Sequence, residues 1–128
     1  MTVDVYVFLN DDASSFRSYQ DDDHLTFAYR YTSELPNDWN EEGLKPVAEE
    51  AFDIGNGADE RSEAYYAPGN RSLSVGDVVR IGGIWFACES RGWKRVQIRP
   101  ISQLTVRGLE NEIGMLGSLA RMRGRFAA

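Results

Sequence analysis

Cysteine, histidine and lysine are nearly missing from this 128-residue chain. It has one cysteine, Cys88, one histidine, His24, and two lysines, Lys45 and Lys94. A lone cysteine closes no disulfide within the chain and excludes zinc sites built on several thiolates. A lone histidine excludes triads and metal centres that need two. No apolar run approaches the length of a bilayer crossing, so no membrane partner is expected. The opening MTVDVYVFLNDD has no basic leader, and its apolar run is too short for a signal segment. The expectation is a soluble protein of a reducing cytoplasm. Also missing are a phosphate loop, a dinucleotide fingerprint and a GxSxG elbow. Paired acids abound, at Asp21-Asp22-Asp23, Glu41-Glu42, Glu49-Glu50 and Asp59-Glu60, but their spacing does not converge them on a pocket or metal. The chain therefore reads as a non-enzyme with no catalytic residues, no metal and no cofactor.

What is present is a core. Apolar residues make up 42% and aromatic residues 12% of the chain. A domain of this size buries roughly two-thirds of the surface it exposes unfolded, enough to fold without a staple. One domain over 1–128 is expected. Acids outnumber bases by 20 to 14, for a net charge of −6. Residues 1–66 carry sixteen acids and four bases, and residues 67–128 carry four acids and ten bases. Two readings fit: a solvated acidic face, or a dipolar molecule with an Arg-rich end.

Residues 3–9 are β-branched and aromatic and predict a central strand. Residues 13–23 are turn-rich, with Phe16 and Tyr19 spaced for a short helical turn. In 24–31 the alternation puts Leu25, Phe27, Tyr29 and Tyr31 on one buried face. Leu44, Val47, Ala48, Ala51 and Phe52 repeat at helical spacing, with Pro46 in the first turn and Gly55-Asn56-Gly57 as the stop. Gly82-Gly83 between two apolar runs predicts a hairpin turn, and Arg91-Gly92 a second turn, so 75–98 reads as a three-stranded meander. Val106, Leu109, Ile113, Leu116 and Ala120 mark a helix over 103–123. It either docks on the sheet, leaving a monomer, or pairs in a homodimer. The expected class is α+β: an antiparallel, partly curled sheet with a middle helix and a C-terminal helix packed on it.

The stretch AFDIGNG, followed by YYAPGNRSLSVGDVVRIGGIWFACESRGWKRV, resembles the YodL-like family over residues 51–96. The matching positions are Phe52 and Asn56, Ser72 to Val79, and Gly92-Trp93. Gly76 stands where relatives often have Ser. The resemblance implies a setting in phages or conjugative elements, often near defence and anti-defence functions.

Two candidate sites follow. Asn70, Arg71, Ser72, Ser74 and Asp77, with the turn amides, form either a self-capped turn or a site for an anion or peptide. Trp85, Arg91, Trp93, Lys94, Arg95 and Arg99 interleave basic and aromatic residues, either as a core Trp pair with a charged rim or as a patch contacting phosphates and stacking a base. Cys88 reads as an inert buried thiol, and His24 as exposed or hydrogen-bonded. The favoured function is a non-enzymatic phage or mobile-element module that binds a host or defence protein, in an anti-defence or regulatory role. The alternative is a nucleic-acid-binding module using the basic, aromatic second half.

Overall fold

A computed structural model of the chain describes residues 1–13, 16–98 and 104–105. Strand β1 (Thr2–Asn10) is the spine. It pairs antiparallel with β2 (Leu25–Glu34) on one side and with β3 (Val78–Ile81) on the other. Strands β4 (Ile84–Cys88) and β5 (Trp93–Val96) continue the antiparallel meander. The two-residue β6 (Leu104–Thr105) adds a parallel pairing to the start of β2. The sheet order is β5-β4-β3-β1-β2-β6. Between β2 and β3 lie a 3₁₀ turn (Glu41–Leu44), helix α1 (Lys45–Ile54) and the short helix α2 (Ser62–Tyr66). The architecture is α+β, with an antiparallel sheet and a middle helix. The expected C-terminal helix lies outside the described residues, apart from Leu104 and Thr105, which are paired as strand.

Local chemistry explains the elements. Pro46 sits in the first turn of α1, where the missing N–H costs no hydrogen bond. Val47, Ala48, Ala51 and Ile54 form its buried stripe. Gly82 takes a φ of 60° between Ile81 and Ile84, which face each other across the hairpin. Of the Gly pair, only Gly82 has positive φ, as the first central position of a type II′ turn requires. The sequence did not reveal α2, because its five residues lie inside an acidic stretch without helical periodicity.

The sheet is buried on both faces. On the helix side, Val3, Val5, Val7, Val79, Ile81, Phe86 and Cys88 pack with Leu44, Val47, Ala48, Ala51 and Ile54. On the other side, Tyr6, Phe8, Leu25, Val78, Ala87 and Ile98 form a second cluster. Strand β2 contributes to both. Val7 pairs with Tyr29 but Phe8 pairs with Phe27, leaving Ala28 as an extra, bulged residue. The bulge exchanges faces. Tyr29 and Tyr31 join the helix-side cluster, whereas Leu25 and Phe27 join the opposite one. The expectation that all four share a face is therefore corrected. The alternation is real on each side of Ala28 but changes phase there. Asn70 supports the bulge, since its side-chain amide donates to the Ala28 carbonyl at 2.9 Å and to the Tyr65 carbonyl at 2.8 Å.

Candidate functional site

The segment before β3 is held by one carboxylate. Asp77 is 1% exposed. Its oxygens accept from Arg71 Nη1 and Nη2, each at 2.7 Å, from the Asn10 backbone N–H at 2.7 Å and from the Ser74 N–H at 2.8 Å. The two-nitrogen clasp by Arg71 is the strong form of this interaction. It raises the Arg71 pKa above the usual guanidinium value. Arg71 also donates to the carbonyls of Ser72 and Asn10. The network continues through the Asn10 side chain, which donates to Asp23 and to the Gly76 carbonyl. Its oxygen accepts the N–H groups of Asp12 and Ala13. Arg17 closes the chain on Asp23 at 2.9 Å. Burial alone would raise Asp23, but hydrogen bonds from Arg17, Asn10 and the Gln20 N–H outweigh it and hold the carboxyl below its usual range.

Asn70, Arg71, Ser72, Ser74 and Asp77 are thus brought together, and their polar groups are largely turned on one another. Asn70 serves the bulge, Arg71 and the Ser74 amide serve Asp77, and the Ser72 hydroxyl meets Tyr66 Oη at 2.7 Å. The anion this turn holds is the protein's own carboxylate.

A groove of about 630 Å³ lies against this segment. Phe52, Leu73, Val75 and Cys88 line it, with Ala13 and Phe16 contributed by the loop over 11–24. Asn56 stands at its edge and fastens two walls together, donating to the Phe52 carbonyl at 2.9 Å and the Leu73 carbonyl at 3.0 Å. Of the positions quoted for the family resemblance, Phe52, Asn56 and Ser72 to Val75 line this concavity, whereas Gly76 to Val79 and Gly92-Trp93 do not. Cys88 forms part of the wall at 4% exposure, and burial pushes its thiol up to about 12. That agrees with an inert thiol. Phe16 is 76% exposed with a φ of 61°, so it takes a left-handed conformation and not the helical turn suggested by its spacing from Tyr19. Gly76 explains the constraint. At its φ of 95° a Cβ would lie 2.6 Å from the Arg17 carbonyl oxygen and 2.8 Å from the Ala13 Cβ. The loop packs directly on this backbone, and only glycine leaves it room.

The basic and aromatic patch does not assemble as a stacking surface. Trp93 is 8% exposed and its indole N–H donates to Glu49 at 3.0 Å, so it is a core residue under α1. Trp85 belongs to the opposite face, against Phe8 and under the Arg80 guanidinium. Arg95 pairs with Glu41. Arg91 and Lys94 are exposed, and Arg99 lies outside the described residues. His24 is also exposed. Its backbone N–H and ring Nδ1 both meet Asp12 Oδ2, at 2.7 and 2.9 Å, and this contact raises its pKa.

A second guanidinium cluster lies between α1 and α2. Arg61 donates to both oxygens of Asp59, each at 2.9 Å, and to Glu50 at 3.0 Å, and covers the Tyr31 ring at 5.2 Å. Among the described residues no group of acids, His and Cys is arranged to hold a metal ion, and no helix is long and apolar enough to cross a membrane. Comparison of the chain with protein-family models, curated proteins and solved structures gives no match.

Proposed function

We propose that this chain is a non-enzymatic binding module of a phage or mobile element. Its partner is a host or defence protein, held in the groove between Phe16, Phe52 and the segment before β3. The observation that carries this reading is the exposed Phe16 ring on the rim of a concavity floored by Leu73 and Val75. An aromatic side chain presented beside an apolar well is the usual form of a binding anchor. The polar groups nearby support binding over chemistry. Arg71 and Asp77 satisfy each other, and Cys88 is held as a thiol. A nucleophile or general base needs a free, suitably poised group.

Affinity capture from a lysate of the native host tests the proposal, using wild type and Phe16→Asp, each with and without nuclease. A protein that survives nuclease and is lost with Phe16→Asp is the expected result. A partner lost with nuclease would favour nucleic-acid binding. Retention by Phe16→Asp would remove the groove from the interface.

A further inference from the structure

The loop over 11–24 has a second flank. Ser18, Tyr19, Asp21 and Asp22 line another cavity, of about 750 Å³, whose other wall is Ala87, Lys94, Val96 and Glu89. Glu89 also lines the groove that holds Phe16. The loop therefore stands between two concavities that meet at one residue. Their chemistry differs. The first is lined by Phe52, Leu73 and Val75, and the guanidinium on its rim, that of Arg71, is neutralised by Asp77. The second carries three carboxylates, those of Asp21, Asp22 and Glu89, with no ion-pair partner among the described residues. Against them stand Lys94 and Arg95, of which Arg95 is already tied to Glu41.

Resting on the binding reading above, we infer that the two concavities form one bipartite site for a protein segment in which a large apolar side chain neighbours basic ones. The apolar side chain enters beside Phe16, over Leu73 and Val75. The basic side chains reach across Glu89 towards Asp21 and Asp22. The charge excess of the second cavity sets this choice. A lysine or arginine gains attraction from carboxylates that outnumber the cations lining this cavity among the described residues, whereas an acidic segment or a phosphate backbone meets repulsion. Because Asp21 and Asp22 are exposed, the attraction weakens with salt. The apolar contact does not.

Fluorescence anisotropy with short labelled peptides tests this directly. In a common Gly-Ser frame they carry Phe-Leu-Arg-Arg, Phe-Leu-Glu-Glu or Gly-Gly-Arg-Arg, and a labelled oligothymidine is the fourth probe. The Phe-Leu-Arg-Arg peptide is expected to bind at least about tenfold more tightly than any other probe, a difference of about 1.4 kcal/mol. Phe16→Ala and the double variant Asp21→Asn/Asp22→Asn should each remove that advantage. Phe16 is exposed, as are Asp21 and Asp22, so unchanged melting curves will show that these variants fold. Equal binding of the Glu-Glu peptide overturns the basic preference and leaves the groove as a binding site. Equal binding of Gly-Gly-Arg-Arg overturns the bipartite arrangement. No binding of any peptide overturns the inference, while the capture experiment decides the broader reading separately. Tighter binding of oligothymidine overturns both.

Discussion

Arg71 and Arg61 each clasp an aspartate through two nitrogens, but their settings differ. The Arg71 clasp closes on a carboxylate buried at the junction of β1, β3 and the loop over 11–24. That carboxylate also accepts backbone N–H groups from Asn10 and Ser74. The Arg61 clasp closes on Asp59, which keeps contact with solvent. Its two ion-pair partners lie on α1 and just before α2. Each arginine makes two bonds to one carboxylate, Arg71 through Nη1 and Nη2 and Arg61 through Nε and Nη2. The difference is what else depends on the carboxylate. At Asp77 two backbone donors lose their acceptor if it is removed; at Asp59 the only such donor among the described residues is the Arg61 N–H, two residues away. An ion pair becomes structural when it also meets the hydrogen-bonding needs of buried backbone.

The largest effect should come from breaking the buried member. Asp77→Ala strands Arg71 and two backbone N–H groups, and is expected to cost about 3 kcal/mol or more, measured by urea unfolding. Gly76→Ser tests the same junction without touching a charge. It forces a side chain into positive φ against the Arg17 carbonyl, and should cost about 2 kcal/mol. It should also weaken any partner that depends on Phe16, because the loop must move. Arg61→Met at the other cluster should cost less than half of the Asp77→Ala loss. A loss equal to that of Asp77→Ala would show that burial of the carboxylate is not what separates the two sites.

The smallest effect belongs to the exposed contact between His24 and Asp12. The His24 pKa is raised in the folded protein, so its contribution is complete below the ordinary value near 6.5. It is lost as pH rises through the raised value. The Asp12 carboxyl is lowered, chiefly by the His24 backbone N–H, so its own contribution fades only in acid. His24→Gln should therefore narrow the difference in melting temperature between pH 6 and pH 8, and a difference unchanged by the substitution would reject the contact. The Cys88 thiol offers a control on the groove wall: it should resist a thiol reagent until the protein unfolds.

The sequence displayed elements whose cause is local. The strands, the Gly82 turn and the Pro46 start of α1 depend on residues near them in the chain, and they formed as their chemistry suggests. The bulge at Ala28 was not legible. Leu25, Phe27, Tyr29 and Tyr31 are apolar or aromatic whichever face they occupy, and the donor that supports the bulge, Asn70, is remote in the chain. The candidate site was legible in part for the same reason. Arg71, Ser74 and Asp77 are close in sequence and do converge. Asn10, which ends β1, and Arg17 and Asp23, from the loop that follows it, complete their network from far away in the chain. Phe16 was visible as an aromatic in a polar loop, but its exposure and its left-handed backbone were not. Trp93 stood among basic residues in sequence, yet strand geometry turned it into the core and left Lys94 outside.

The place of β1 in the middle of the sheet bears on how the chain is made. Its first partner, β2, follows within one loop, but its second, β3, is near the far end of the described segment. A nascent chain can close the hairpin of β1 and β2 early. That hairpin carries apolar side chains on both faces and an open row of backbone groups where β3 will sit. It must wait until residues 78–81 leave the ribosome. Pairings between such remote partners are slow to form, and exposed apolar hairpins are sticky while they wait. Expression yield should therefore depend on translation speed and chaperone supply more steeply than the stability of the finished fold would suggest.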